Sequence, residues 1–228
     1  MKAIIAGFSF PELVIFSDFR EKKIETERGK VMVFVKNDWV FLPRHGPDKT
    51  ISPHRINQAA NISSLKELGV SAIFSINSTG SLKLAITPQD FLVVDDYFCL
   101  SPKTFYDERI VHIVPELDFR LRKIIIEVAR KAELNPIDGG VYVQTRGPRL
   151  ETKAEIRFLQ TIGDVVGMTM ADEATISQEL GIPYASLCSV DNYCNGIIDK
   201  PLTLEEMKEN SRQKIEKFNQ FLIALLEE

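Results

Sequence analysis

The sequence has few of the residues that build disulfide scaffolds or metal sites. Its three cysteines, Cys99, Cys188 and Cys194, cannot all pair and show no CxxC spacing, and the 228-residue chain has only three histidines. A disulfide framework and a zinc site are therefore unexpected. No apolar run reaches the roughly 18 residues of a membrane span, and the chain opens on the strand-like run Ala3 to Ala6 rather than on a basic leader. We expect a cytoplasmic protein that contacts no membrane.

Neither sign of charge is in large excess. The chain has 28 Lys and Arg residues and 32 Asp and Glu residues, which gives a formal net charge of −4, and both signs are interspersed. Unspecific binding to nucleic acid is therefore not expected. The sequence also lacks internal repeats, linkers and low-complexity stretches. We predict one domain that spans residues 1–228.

The sequence lacks the common nucleotide-binding and nucleophile motifs. It has no GxxxxGK[ST] loop, and Gly7, after the first predicted strand, is not joined by the other glycines of a dinucleotide fingerprint. No GxSxG elbow is present, so covalent catalysis has no visible nucleophile. We therefore expect no organic cofactor and no protein nucleophile.

Hydrophobic periodicity predicts alternating strands and helices. A hairpin is expected from residues 31–35 and 39–42. Further strands are predicted at residues 71–76, 91–95, 141–144, 165–167 and 184–190, and helices at 54–68, 117–134, 151–162, 171–180 and 204–226. This order predicts an α/β fold, a three-layer α/β/α sandwich with a central mixed, largely parallel β-sheet.

Polar residues cluster where the predicted strands end, and ligands bind at such ends in α/β folds. The clusters are Arg44-His45-Gly46, Asn77 to Ser81, Met168-Thr169 and Asp191-Asn192-Tyr193. A guanidinium and a loop of small polar residues with a glycine are suited to an anion. Taken singly, Arg44 is equally consistent with a surface ion pair, and residues 77–81 with an ordinary turn.

Several motifs together resemble the purine nucleoside phosphorylase and methylthioadenosine phosphorylase family. The resemblance covers nearly the whole chain in the family's order. Its motifs are Arg44-His45-Gly46, Asn57 to Ile62, Asn77 to Leu82, Gly147 to Glu155 and Val166 to Thr169.

The resemblance implies reversible phosphorolysis, in which inorganic phosphate attacks C1′ of a purine nucleoside and the free base leaves. Its transition state is similar to an oxocarbenium ion. Phosphate is then a co-substrate that serves as the nucleophile, and no metal or cofactor is needed. The resemblance also implies a homotrimer or hexamer that binds purine nucleoside and phosphate.

The resemblance assigns further roles residue by residue. Met168 is expected beside the ribose, and Leu150 replaces an aromatic residue against the purine face. His112 is expected to reach the 5′ end of a nucleoside held by a neighbouring subunit, although a plain interface histidine is equally consistent. The expected phosphate-binding residues are Arg44, His45, Asn77, Ser78, Thr169 and, with a one-residue shift from the family's pattern, Ser9.

The choice of base depends on two positions. By this resemblance, Asn192 stands at a position where the adenine-specific branch has a carboxylate. Its amide can donate to O6 and accept from a protonated N7. Glu151 stands where the 6-oxopurine branch has a glutamate that accepts from N1–H. Both indicate a 6-oxopurine nucleoside, namely inosine, guanosine or 5′-methylthioinosine. We predict Asn192 and Asp191 as catalytic residues, and Leu150, Glu151 and Asn192 as base-binding residues.

Alternatives remain open at this point. If Asp191 reads the base, the chain is a 5′-methylthioadenosine phosphorylase. A non-catalytic nucleoside- or phosphate-binding relative and a hydrolytic nucleosidase are further options. Leu202, Leu204 and Met207 are candidates for an apolar wall around a methylthio group, but the sequence leaves ribose and methylthioribose undecided. Arg146 adds a positive charge near the base loop without an evident role.

Overall fold

The fold was obtained as a computed structural model, which describes residues 1–7 and 14–228. The strands, in chain order, are β1 Lys2–Ala6, β2 Arg20–Thr26, β3 Gly29–Lys36, β4 Trp39–Pro43, β5 Ala72–Ser81, β6 Phe91–Val93, β7 Asp96–Phe98, β8 Ile137–Asp138, β9 Val141–Gln144, β10 Val165–Gly167 and β11 Tyr184–Tyr193. The helices are α1 Gln58–Glu67, α2 Phe119–Lys131, α3 Lys153–Leu159, α4 Met170–Glu179, α5 Leu204–Arg212 and α6 Ile215–Leu226.

The strands form one mixed sheet around the long strand β5. The main order is β2-β3-β4-β1-β5-β10-β9-β7, while β11 pairs with β5 and β6, and β6 pairs with β8. Strands β4, β1, β5 and β11 run parallel, and the hairpin β3–β4 is antiparallel as predicted. Along β5, Ile76 pairs with the last residue of β1 and Ser81 with the last residue of β11, while the antiparallel β10 begins opposite Ser81.

Helices cover both faces of the sheet. Alternate residues of β1 enter two different cores: Ala3 and Ile5 pack with α1 and α4, and Ile4 and Ala6 pack with α2 and α6. This period of two is expected for a strand buried on both faces. The three-layer α/β/α sandwich predicted from the sequence is confirmed.

Two segments predicted as loops are continuations of strands. Residues 77–81 belong to β5, and residues 191–193 belong to β11. Polar side chains in these segments were interpreted as loop residues because their hydrogen-bond partners lie far away in the sequence. Thr79 Oγ1, for example, donates to the backbone oxygen of Ser189 at 3.0 Å. The interpretation of residues 77–81 as a turn is therefore wrong.

Two other predictions are corrected. Strand β2 was missed because it is charged and only Ile24 is buried in it, as is common at a sheet edge. The single helix predicted at 204–226 is divided into α5 and α6. At the division Lys214 turns inward, and its ammonium contacts the end of β11.

None of the described helices has the length and apolar character needed to span a membrane. Within residues 1–7 and 14–228, no group of three or more His, Cys, Asp and Glu side chains is arranged to hold a metal ion.

Candidate active site

A cavity of about 560 Å³ opens where β1, β4, β5, β10 and β11 end. It is also bounded by α5 and by the start of α6, which close it from the side opposite the sheet. The structure brings most of the predicted site residues to this cavity. They are Arg44, His45, Asn77, Ser78, Leu150, Glu151, Met168, Thr169, Asp191 and Asn192.

Arg44 is buried at the floor of the cavity and is not a surface cation. Its Nε and Nη2 donate to the two carboxylate oxygens of Glu173 on α4, at 2.5 Å and 3.0 Å. Nη1 donates to the backbone oxygen of Ile76 at 3.0 Å, and Nη2 also reaches Ser75 Oγ at 2.7 Å. Burial by itself would lower the pKa of Arg44, but the Glu173 charge holds it above its usual value. The guanidinium is thus fixed in place by its own protein partners.

His45 lies beside Arg44, with its Nδ1 against the backbone. Its Nδ1 lies 2.7 Å from the backbone oxygen of Ile51, so Nδ1 carries the ring proton. Burial lowers the pKa of His45, and the Arg44 charge acts in the same direction. A Cβ built on Gly7 would lie 3.4 Å from Arg44 Nη1 and 3.7 Å from His45 Nε2. The end of β1 therefore approaches both side chains.

A buried hydrogen-bond network connects Arg44 with the end of β10. Asn77 donates through Nδ2 to Ser75 Oγ at 2.9 Å and to Ser186 Oγ at 2.8 Å. Thr169 Oγ1 donates to Asn77 Oδ1 at 3.2 Å. Since the amide of Asn77 is occupied on both sides, this side chain fixes the orientation of Thr169 and of the Ser75 hydroxyl that Arg44 contacts.

Asp191 is enclosed by donors at the other side of the cavity floor. Its Oδ1 accepts from Ser189 Oγ at 2.6 Å and lies 2.7 Å from the Lys214 ammonium, while Oδ2 accepts a short hydrogen bond from Ser78 Oγ. Burial lowers the pKa of Lys214, and the Asp191 charge opposes that shift. With both oxygens occupied, the arrangement favours a supporting role for Asp191, and the direct catalytic role stays a prediction.

Asn192 follows a β-bulge and presents its amide to the cavity. Along β11 the pairing with β5 shifts by one residue between Val190 and Asn192, which leaves Asp191 as the extra residue. Asn192 pairs with Gly80, where a Cβ would lie 3.0 Å from Asn192 Nδ2 and 2.7 Å from Cys194 Sγ. Glycine at position 80 thus provides the space in which the amide lies.

Glu151 lines the same cavity as Asn192. One of its carboxylate oxygens accepts from Thr145 Oγ1 at 2.5 Å, and its backbone oxygen accepts from Asn195 at 3.2 Å. Glu151 precedes helix α3, whose cap is Thr152 with a reciprocal bond to Glu155. The helix is therefore capped without Glu151, whose side chain is left to the cavity.

The wall nearest α5 and α6 is mixed, because Lys208, Ser211 and Arg212 of α5 line it beside the apolar residues. Leu202, Leu204 and Met207, which the sequence indicated as candidates for an apolar wall, line the cavity together with Ile215 and Phe218. The cavity therefore has a floor around Arg44, a polar side with Asn192 and Glu151, and a mixed third side from α5 and α6.

Two of the residues singled out from the sequence, His112 and Arg146, do not line this cavity. His112 is exposed and does not line the cavity of its own chain. Arg146 lines a neighbouring cavity of about 800 Å³, which shares Glu151 and Met168 with the first. Ser9 lies outside the described residues.

Sequence reasoning missed Glu173 and Lys214, the buried partners of Arg44 and Asp191. Glu173 had a weak signal, because it stands in a helix whose other residues are mostly small or apolar. Lys214 had none, since it follows polar residues in a segment that is typical of a solvated helix face.

Comparison with known proteins agrees with this geometry. A family profile described as "Phosphorylase superfamily" matches residues 2–227. A "Probable 6-oxopurine nucleoside phosphorylase" of Archaeoglobus fulgidus is 43% identical over 223 residues, 93% of this chain and 92% of that protein. A "Probable S-methyl-5'-thioinosine phosphorylase" of Methanocaldococcus jannaschii is 41% identical over 225 residues, 93% of this chain and 86% of that protein.

Among solved structures, a methylthioadenosine phosphorylase from Schistosoma mansoni, in complex with adenine, has a similar fold. It superposes with a TM-score of 0.85 at 24% identity, over 98% of this chain and 89% of that one. From the family match, the close relatives and this shared fold, the chain belongs to the phosphorylase superfamily.

Proposed function

We propose that this chain is a pentosyltransferase that cleaves the N-glycosidic bond of 6-oxopurine nucleosides with inorganic phosphate. The products are the free base and a pentose 1-phosphate. The observation that carries the proposal is the meeting, in one cavity, of the anion floor around Arg44 with a base side built from Asn192 and Glu151. The names of its relatives in Archaeoglobus fulgidus and Methanocaldococcus jannaschii support the same reaction.

Phosphate is bound at the cavity floor in this proposal. Arg44, His45, Ser78 and Thr169 surround it, and Asn77 orients Thr169. In this proposal Nε2 of His45 accepts a hydrogen bond from a protonated phosphate oxygen, while Nδ1 contacts the backbone oxygen of Ile51. In the structure the hydroxyls of Ser78 and Thr169 donate to Asp191 and Asn77, so each must rotate to donate to the phosphate. Ser9 is proposed as a further hydroxyl on the phosphate.

The base side matches a 6-oxopurine through complementary hydrogen bonds. Asn192 Nδ2 gives one of its two hydrogens to the Tyr193 backbone oxygen, at 2.9 Å, which leaves the other for O6. Its Oδ1 accepts from N7 once N7 is protonated. Glu151 retains one carboxylate oxygen beyond the Thr145 bond, and this oxygen accepts from N1–H. Adenine lacks N1–H and has a donor at position 6, so neither the Asn192 Nδ2 donor nor the Glu151 carboxylate finds its partner.

Bond changes follow from this placement. Phosphate oxygen attacks C1′ as the C1′–N9 bond breaks, and the bonding electrons pass to the purine. The hydrogen phosphate gives up its proton as the pentose 1-phosphate forms, and water supplies the proton that N7 takes up. Asn192 stabilises the protonated base, and Met168 lies against the ribose. Leu150 packs on the purine face in the place of an aromatic residue. The proposed reaction requires no metal and no organic cofactor, because phosphate is itself the nucleophile.

The apolar part of the α5–α6 wall favours 5′-methylthioinosine among the candidate substrates, because Leu202, Leu204 and Met207 can bury a thioether. On the same wall Lys208, Ser211 and Arg212 offer polar partners that suit a 5′-hydroxyl. Inosine and guanosine remain substrates of the same reaction in this proposal. A methylthioadenosine phosphorylase is the second candidate, favoured only by the presence of Asp191 in the cavity.

We further propose a homotrimer or hexamer in the cytoplasm, in which His112 completes a neighbouring subunit's site. His112 lies in a segment with exposed apolar side chains, among them Leu100, Ile110 and Val114, each more than 80% exposed. Sedimentation analysis checks the assembly. A monomer that retains full activity at nanomolar concentration would contradict it.

The reaction is tested by a panel of inosine, guanosine, 5′-methylthioinosine, adenosine and 5′-methylthioadenosine, with and without phosphate, monitored for free base. We expect release from the three 6-oxopurine nucleosides only when phosphate is present, without added metal. Equal release in phosphate-free buffer would indicate a nucleosidase. Preference for the two adenine nucleosides would favour the second candidate, and no release at all would favour a binding protein.

A further inference from the structure

The cavity floor contains a carboxylate where the proposed function requires an anion to bind. Asp191 is 2% exposed and is hydrogen-bonded to Ser78, one of the proposed phosphate-binding residues. A negative charge at a buried position repels phosphate strongly, since such charges are screened little by solvent. The site therefore needs a compensating positive charge next to Asp191.

Lys214 supplies that charge next to β11. Its ammonium is 1% exposed and donates to three oxygens: Asp191 Oδ1 at 2.7 Å, the Val190 backbone oxygen at 2.5 Å and the Pro88 backbone oxygen at 3.0 Å. An ammonium has three hydrogens, so these contacts use all of them. Lys214 stands immediately before α6, at the division between α5 and α6, and Asn210 of α5 donates to the backbone oxygen of Asp191.

We propose that Lys214 is a positioning residue of the phosphorylase site, which neutralises Asp191 so that phosphate can bind beside Ser78. This inference rests on the proposed function, because it needs an anion at the cavity floor. Lys214 itself touches neither phosphate nor base. It acts through Asp191, and the pair together contributes no net charge to the anion site.

Charge compensation and simple structural support predict different results for two single variants. Lys214→Met leaves an unpaired carboxylate beside the anion, so the dissociation constant of inorganic phosphate should rise roughly tenfold. Asp191→Asn keeps the ammonium and removes the carboxylate, so the same constant should fall by about threefold. If Lys214 and Asp191 only hold the strand in shape, both variants should weaken phosphate binding.

The measurement is a phosphate titration of the purified protein by thermal shift, which reports ligand binding without turnover. The variant Lys214→Met/Asp191→Asn should bind phosphate within about threefold of wild type, because the paired charges are removed together. A double variant as weak as Lys214→Met, or a Lys214→Met constant within about twofold of wild type, would overturn the proposal. If Lys214→Met does not fold, Asp191→Asn must still bind phosphate more tightly than the double variant.

Failure of the inference is distinguishable from failure of the proposed function. Wild-type protein that neither binds phosphate nor releases base with it would contradict the function. The wild-type protein could instead bind phosphate and release base, while the phosphate dissociation constant does not shift in opposite directions in Lys214→Met and Asp191→Asn. That result would contradict the role of Lys214 and leave the proposed function standing.

Discussion

The anion floor and the base side of the cavity differ in how their side chains are held. Around Arg44, the guanidinium, Glu173, Ser75 and Asn77 are fully buried and bonded to one another. On the base side, Asn192 makes one side-chain bond to its neighbour's backbone, and Glu151 one to Thr145. The floor is thus part of the folded core, whereas a substitution on the base side should lower the free energy of unfolding by little. Under the proposed function, substitutions on the base side change the preferred base while the floor keeps its phosphate.

The largest expected effect is that of Arg44→Ala, which tests whether the floor is part of the core. Removing one member of a buried ion pair leaves Glu173 unpaired, so the free energy of unfolding should fall by about 3–5 kcal/mol. The dissociation constant of phosphate should rise roughly tenfold or more, since one charge-assisted bond is lost. Urea denaturation and phosphate titration measure the two effects.

Arg44→Ala/Glu173→Ala is the matched control for Arg44→Ala. It removes the unpaired carboxylate and should recover part of the stability but none of the phosphate affinity. Unchanged stability in Arg44→Ala would show that the ion pair is not what fixes the floor.

The second prediction changes the base side alone. Asn192→Asp replaces an amide that donates to O6 with a carboxylate that only accepts, so preference should shift toward adenine nucleosides by roughly ten- to a hundredfold. Glu151→Ser should act in the same direction. The ratio of kcat/KM for inosine and adenosine measures the shift, and phosphate KM should change little. An unmoved ratio would indicate that Asp191, not Asn192, reads the base.

The third prediction concerns the space that Gly80 leaves for Asn192. Gly80→Ala places a Cβ 2.7 Å from Cys194 Sγ and 3.0 Å from Asn192 Nδ2, so the amide must move. We expect a raised KM for the nucleoside with little change in KM for phosphate. Gly80→Ala/Cys194→Ala relieves the tighter contact and should recover part of the loss. A change confined to the KM for phosphate would contradict this prediction, because it would show that Gly80 affects the phosphate and not the nucleoside.

The smallest expected effect is the pH response of His45 at the floor. Burial lowers its pKa in the folded protein below the ordinary value of 6.5, so the unfolded chain takes up the proton first. Stability from this residue is present above pH 6.5 and is lost as the pH falls below it toward the folded pKa. His45→Asn retains a donor for the Ile51 carbonyl but does not titrate. The unfolding free energy of wild type should therefore fall more steeply between pH 6.5 and 5.5 than that of His45→Asn, and parallel curves would contradict this.

Hydrophobic patterns predicted most strands and helices of the α/β/α sandwich, because such patterns follow which side chains are buried. Runs such as Ala3 to Ala6 and Val141 to Gln144 are apolar on both faces, and each forms a strand at the predicted place. Asn77 to Ser81 and Asp191 to Tyr193 misled the interpretation, since polar side chains there are satisfied by distant partners. Local periodicity contains no information about such partners.

The cavity residues were predicted through their motifs, but the ways in which they are held were not. Nothing local to Arg44 indicates that Glu173, on another element, accepts from both its Nε and its Nη2. The same holds for Lys214 and Asp191, which are separated by two helix boundaries and meet only in the folded chain. Pairing of buried charges depends on tertiary distance, which a single sequence does not show.

The most direct test of a phosphate floor joined to a 6-oxopurine side is the product balance from 5′-methylthioinosine. Purified protein, phosphate and this nucleoside should give hypoxanthine and 5-methylthioribose 1-phosphate in equal amounts, with a kcat/KM at least about tenfold above that for 5′-methylthioadenosine. Hypoxanthine formed together with free methylthioribose, or faster release of adenine than of hypoxanthine, would contradict the account.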